Sequence, residues 1–301
     1  ELTLSWRDNF KLAGSDFHYG VKFMLWDSQS WITKYNNATG KLSDYYEGYR
    51  IGDIWGYNIE GLFTSYDEIA NHADQDYIKI SDSKIWQPGD LKFADLNGDG
   101  KIDKGAQTLS DHGDLVIVGN EEERYHYGFN LNVGWKGIGI SAFFQGVGKR
   151  DWYPGQETGF FWGKYNRPYG YSLKMHENRW TEENPNPNAY WPRLVGYSSE
   201  NGGRPMGTPN NRYMQDASYL RLKALTVDYS LPQAWVSKLG LTGLKIYFTG
   251  ENLFTFSNIC ENFDPEVIKG GDVDLKDRKG EEQGYSYPML KTYTVGLNVS
   301  F

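Results

Sequence analysis

Strict alternation of apolar and polar residues, recurring from one end of this 301-residue chain to the other, constrains its fold more than any other feature. A period of two sends successive side chains to opposite faces, which describes a strand and not a helix. Leu2, Leu4, Trp6, Phe10 and Leu12 alternate with Thr3, Ser5, Arg7, Asn9 and Lys11. Similar patterns run over Phe17–Trp31, Tyr125–Trp135, Ile138–Gly148, Tyr219–Leu231, Leu244–Phe254 and Pro288–Phe301. The expectation is an all-β fold of about seven antiparallel strands. A chain already alternating at Glu1 reads as a piece of something longer, with a mature N-terminus after signal cleavage as the alternative.

Connection lengths separate two all-β architectures. Short connections, Ala13 to Asp16, Lys136-Gly137 and Pro232 to Thr242, take turns with long ones at about residues 31–124, 150–218 and 255–288. Outer-membrane barrels have short turns on one side and long loops on the other. A sandwich rarely carries loops of about 70 to 90 residues without a function for them. When strand directions are followed back from the C-terminus, every short turn falls on the same side. Seven is odd and too small for a nutrient-sized lumen, so further strands are expected upstream.

Composition narrows the choice. Lys and Arg number 31 against 39 Asp and Glu, a net charge of −8, which speaks against a nucleic-acid partner. Aromatics make up 16 % and Gly 35 residues, a mixture that suits strands and turns. One cysteine, Cys260, excludes an intrachain disulfide framework. No run of 18 apolar residues occurs, a test to which barrel strands are blind.

Several stretches, in order, resemble the C-terminal part of SusC-like, TonB-dependent outer-membrane nutrient transporters. They include Tyr49-Arg50-Ile51-Gly52-Asp53-Ile54-Trp55-Gly56-Tyr57, Glu60-Gly61-Leu62-Phe63, and the run from Pro88-Gly89-Asp90 to Asp103. Tyr127–Leu131, Phe143–Gly148, Trp180-Thr181-Glu182-Glu183-Asn184-Pro185, Pro192-Arg193-Leu194, Ser218–Lys223 and Gly250-Glu251-Asn252-Leu253-Phe254 follow. The resemblance implies one share of a 22-stranded barrel whose plug and earlier strands lie upstream. It further implies a Gram-negative outer membrane, energy from TonB through the missing part, a SusD-like lipoprotein partner, and import of oligosaccharides or, alternatively, peptides. A secreted, soluble β-rich glycan-binding module is the competing reading. The terminal strand, with Tyr293, Val295, Leu297, Val299 and Phe301 on one face, fits the assembly signal on which such barrels end.

Two loops carry candidate chemistry. Asp95, Asn97, Asp99, Lys101 (through its carbonyl) and Asp103 match the first part of a calcium loop, with Gly100 at the sharp turn. Position 12 is Ala106 rather than an acid, and an Asp/Asn/Gly turn without metal is the alternative. A structural calcium there is the only cofactor expected, and none is required. The aromatic stretch from Trp152 to Trp191 offers Trp152, Trp162, Tyr165, Arg167 and Tyr169 as candidate substrate contacts, since flat rings stack on sugar faces. Packing of the loop on itself, an interfacial girdle and docking of a partner compete, with packing expected for most of the rings. The chain has no nucleophile-elbow, zinc-protease or phosphate-loop motif, and its five His are scattered, so no enzyme is expected. Ser65 and Glu68 read as a capping box opening a short helix to about Ala73.

Overall fold

The computed structural model describes residues 1–78, 85–155, 158–166, 170–195, 206–268 and 287–301. Seven long strands form one sheet: β1 (Leu2–Leu12), β2 (Ser15–Trp26), β3 (Arg124–Trp135), β4 (Ile138–Lys149), β5 (Tyr219–Ser230), β6 (Gly243–Ser257) and β7 (Thr292–Ser300). Their spatial order is their chain order, and every neighbouring pair is antiparallel. The second strand stops at Trp26, short of the expected Trp31, because Asp27 turns aside to receive a two-pronged hydrogen bond from Arg124. That contact holds the Asp27 carboxyl down at about 2.

Register turns the alternation into two continuous faces. One row across the sheet reads Trp6, Val21, Leu131, Ala142, Leu225, Gly250, Tyr293. Four residues nearer the short turns, Phe10, Phe17, Trp135, Ile138, Tyr229, Ile246 and Leu297 line up, an aromatic-rich row as expected at a membrane interface. The opposite face reads Arg7, Gly20, Asn132, Ser141, Thr226, Thr249, Thr294. A one-residue slip would exchange these faces, so the pattern fixes the register. A bulge at Lys223 shifts β5 by one residue.

Among the described residues no second layer covers the apolar face. Trp6 is 63 % and Leu297 64 % exposed, whereas a sandwich would bury this face. Strand β1 has 11 residues; at about 3.4 Å per residue and a tilt of about 40° it rises about 26 Å, the height of a bilayer's apolar band.

Three short connections lie at one end of the wall. Ala13-Gly14 (φ +50° and +77°) and Lys136-Gly137 (φ +49° and +82°) form two-residue hairpin turns with positive φ at both positions. A side chain at 137 would also meet the Ser230 carbonyl oxygen at 2.7 Å. The third connection, residues 231–242, holds a short helix, Gln233–Val236. The long connections, residues 27–123, 150–218 and 258–291, all leave from the other end. They contain the main buried core, built from Tyr57, Phe93, Trp152, Trp162, Trp191, Tyr213 and their neighbours. This cap is stitched by two-stranded pieces: Asp53–Gly56 with Val116–Asn120, Ile59–Leu62 with Leu91–Phe93, and Asp151–Trp152 with Gln215–Asp216. The helix opened by Ser65 spans Tyr66–Ala70, ending before Ala73. Ser65 Oγ accepts from the Glu68 N–H at 3.1 Å, and the Glu68 carboxylate accepts from the Thr64 N–H at 2.7 Å.

Candidate functional site

The motifs scattered along the sequence converge in the cap. Gly89, with φ +89°, lets the Trp180 indole lie where a Cβ would stand, 2.3 Å from it. The Arg193 N–H donates to the Gly89 carbonyl at 2.8 Å, and the Arg193 guanidinium meets Asp90 at 2.6 Å. Burial pushes the Asp90 carboxyl up, and Arg193 offsets only part of that. The N–H of Tyr57 donates to the Pro209 carbonyl, tying the first long connection to the second.

The candidate substrate aromatics lie inside this core. Trp191 is sandwiched between Tyr165 and Tyr213, with ring centroids 5.1 and 5.2 Å away and planes 17° and 23° apart. Trp162 stands edge-on to Trp191 at 6.0 Å and donates its indole N–H to the Gly155 carbonyl at 2.8 Å. Trp152 packs on Phe263 at 4.9 Å, and the Tyr165 hydroxyl donates to the Pro192 carbonyl at 2.7 Å. Trp152, Trp162 and Tyr165 are at most 1 % exposed, so none presents a ring face to a ligand. The expectation that these three stack on substrate is therefore corrected: they hold the cap together. Arg167 and Tyr169 lie outside the described residues. Within the same stretch Phe160 and Tyr171 do present surface, and further exposed rings lie in the first long connection. Trp31, Tyr35 and Tyr45 are each about half exposed, and Tyr45 meets Tyr35 edge-on at 5.7 Å.

His176 belongs to the same core. The Leu173 N–H donates to its Nδ1 at 2.8 Å, which makes Nε2 the protonated nitrogen, donating to the Phe161 carbonyl at 2.7 Å. The neutral ring satisfies both partners. Burial accordingly lowers its pKa. Burial likewise pushes the Cys260 thiol up to about 12, which leaves it unreactive.

The aspartate-rich loop is a run of side-chain-to-backbone turns. Asp95 accepts from the N–H groups of Gly98 (2.7 Å) and Gly100 (2.9 Å), Asn97 from that of Asp99 (3.0 Å), and Asp99 from that of Lys101 (2.8 Å). Asp103 accepts from Gly105 at 2.7 Å, and buried Asp114 from Leu96 at 2.7 Å and Asp103 at 2.9 Å. Among the described residues no three acidic, His or Cys side chains converge on a point. The side-chain oxygens of the candidate ligands Asp95, Asn97, Asp99 and Asp103 thus accept from backbone N–H groups, as in the alternative turn, and Lys101 enters through its backbone N–H.

A charged junction escaped the sequence reading. Buried Arg221, from the top of β5, meets Asp264 and Glu266 at 2.5 Å each and donates to the Thr255 hydroxyl at 2.8 Å. Lys223 reaches the other Glu266 oxygen at 2.7 Å. Arg150, just past β4, donates to the Ile268 carbonyl at 2.6 Å and to Glu123 at 2.9 Å. Two buried arginines thus clamp residues 264–268 to the outer end of the wall. The partners in 264–268 are 43 or more residues from the basic side chains that hold them, and no local signal announces them.

A two-faced meander with turns at one end and a packed cap at the other defines a segment of an outer-membrane-type β-barrel wall. No family profile matches the chain. It is similar to TonB-dependent receptor P3 of Formosa agariphila, 28 % identical over 257 residues, and to TonB-dependent receptor P26 of the same organism, 32 % over 247. These alignments take in 85 % and 80 % of the chain but 22 % of each relative, so the chain spans about a fifth of the length of the curated relatives it matches. Among solved structures it resembles the RagAB peptide transporter, with TM-score 0.62 and 20 % identity over 99 % of this chain and 29 % of that one. The RagAB importer in its open-open state gives 0.59 and 18 %, over 99 % and 28 %. At such identities these structures speak for the fold. The chain belongs to the TonB-dependent receptors, outer-membrane proteins of Gram-negative bacteria.

Proposed function

We propose that this chain is the C-terminal share of the barrel wall of a TonB-dependent importer of oligosaccharides. The carrying observation is the two-faced register: an apolar band toward lipid and a face of Asn, Ser, Thr, Arg and Lys toward a wet lumen. Strands β1 and β7 each have a single hydrogen-bonded neighbour, and an open strand edge is not tolerated in hydrocarbon. Both edges therefore call for further strands of the same barrel, with a plug inside it and TonB supplying energy from the inner membrane. The cap shapes the outer mouth and docks a SusD-like lipoprotein. Amide- and hydroxyl-rich walls with half-exposed Trp31, Tyr35 and Tyr45 suit polyhydroxylated cargo. The terminal residues Tyr293, Val295, Leu297, Val299 and Phe301 act as the signal read during barrel assembly. Peptide import by the same route is the second reading, favoured by the fold it shares with RagAB. The test is isotope-labelled uptake by cells with and without the full-length gene. Loss of oligosaccharide uptake with peptide uptake intact supports the proposal, and the reverse result contradicts it.

A further inference from the structure

The chain is acidic overall, with net charge −8, yet the polar face of its wall is basic. Eight Lys and Arg lie in the seven strands; register puts seven of them on the polar face, and the eighth, Lys223, sits in the bulge. Only Asp16, Asp228 and Glu251 are acids on that face. Most of the cations are matched. Lys11 meets Asp16 at 2.6 Å and Lys245 meets Asp228 at 3.0 Å, Arg124 holds Asp27, and Arg221 and Lys223 hold the Asp264–Glu266 pair. Lys149 lies within electrostatic reach of Asp216.

Arg7 and Lys22 are different. Neither has an ion-pair partner among the described residues, and both are exposed. They are diagonal neighbours on adjacent strands near mid-height. Arg7 is opposite Gly20, and its Cγ lies 3.4 Å from where a Gly20 Cβ would be, so its stem crosses the open surface that the glycine leaves. Lys22 is opposite Asn130, and Gly20 opposite Asn132. The result is one patch of two cations and two amides on a water-facing wall. Rings of Arg and Lys in a pore favour anions, and carboxamides bond hydroxyls.

The geometry points to an anion-binding step inside the wall: Arg7 and Lys22, flanked by Asn130 and Asn132, engage carboxylate or sulfate groups of an anionic oligosaccharide on its way through. This names the cargo class and rests on the importer reading above. The alternative anion, an acidic side chain of the plug, is an outcome of the test. The complete transporter, purified in detergent, is titrated with oligogalacturonate, with a sulfated oligosaccharide and with neutral maltohexaose, at low and high salt. Arg7→Gln/Lys22→Gln should weaken both anionic ligands at least tenfold, about 1.4 kcal/mol, leave maltohexaose unchanged, and flatten the salt dependence. The single variant Lys22→Gln serves where the double variant does not assemble, with heat-modifiable gel mobility as the folding check. Unchanged affinity for the anionic ligands overturns the proposal. So does an equal loss for charged and neutral ligands, which would assign the cations to the plug. A wild-type transporter that takes peptides and no oligosaccharide fails the importer reading instead.

Discussion

The face assignment is open to a one-residue experiment on β4. Ile140 belongs to the apolar row with Val133 and Val227, 38 % exposed, whereas Ser141 belongs to the polar row with Asn132 and Thr226. Both lie between the interfacial row of Ile138 and the mid-height row of Ala142, on a strand with neighbours on either side, so edge pairing does not enter the comparison. Arginine at the lipid-facing midplane of a barrel costs roughly 2–4 kcal/mol, while lumen substitutions have small effects. Ile140→Arg, part-way between midplane and interface, should thus destabilise the assembled barrel by about 2 kcal/mol, a factor of about 30 in the folding equilibrium, and Ser141→Arg by about 1 kcal/mol or less. The assay is denaturant titration of the full-length protein refolded into phospholipid vesicles, followed by heat-modifiable gel mobility. Equal costs, or a larger cost for Ser141→Arg, would refute the assignment of faces.

Three further outcomes concern the cap. Trp191→Ala removes the ring between Tyr165 and Tyr213 and should cost about 3–5 kcal/mol locally, read as protease cleavage within residues 150–218 while the barrel stays resistant. Burial in the cap core disfavours the charged His176 ring, so its folded pKa lies below the unfolded value of about 6.5. Below that pH the unfolded segment takes up a proton and the folded one does not. Cap stability should therefore be full above about pH 6.5 and fall as the pH drops below it, seen as faster amide exchange at Leu173 after correction for intrinsic rates. Asp95→Ala should cost about 1 kcal/mol by freeing the Gly98 and Gly100 N–H groups, equally with calcium and with chelator. A stabilisation by calcium that this variant abolishes would restore the metal reading.

The wall was legible because alternation, turn length and the need to keep one face toward lipid act locally. The seven expected strands appear in the expected order, with ends shifted where a long-range contact intervenes, as at Asp27 and Arg124. The cap was much less so. An aromatic ring has the same composition signature whether it stacks on a ligand or on another ring, and Trp162 finds Trp191, 29 positions away, by tertiary packing alone. The aspartate run was ambiguous for a related reason, because the same oxygens serve a cation or a turn. Arg221 and Asp264 meet only once the third long connection folds back onto the wall.

The most direct test of the whole account is topology in living cells. In a Cys260→Ser background of the full-length protein, single cysteines replace Asn37, Leu109, Lys136 and Lys238. The first two lie in the first long connection, and the others at the short-turn end. A bulky, membrane-impermeant maleimide added outside should label positions 37 and 109 on intact cells, and 136 and 238 only after the outer membrane is opened. Labelling of positions 136 and 238 on intact cells would contradict the barrel-wall account, as would recovery of all four in a soluble fraction.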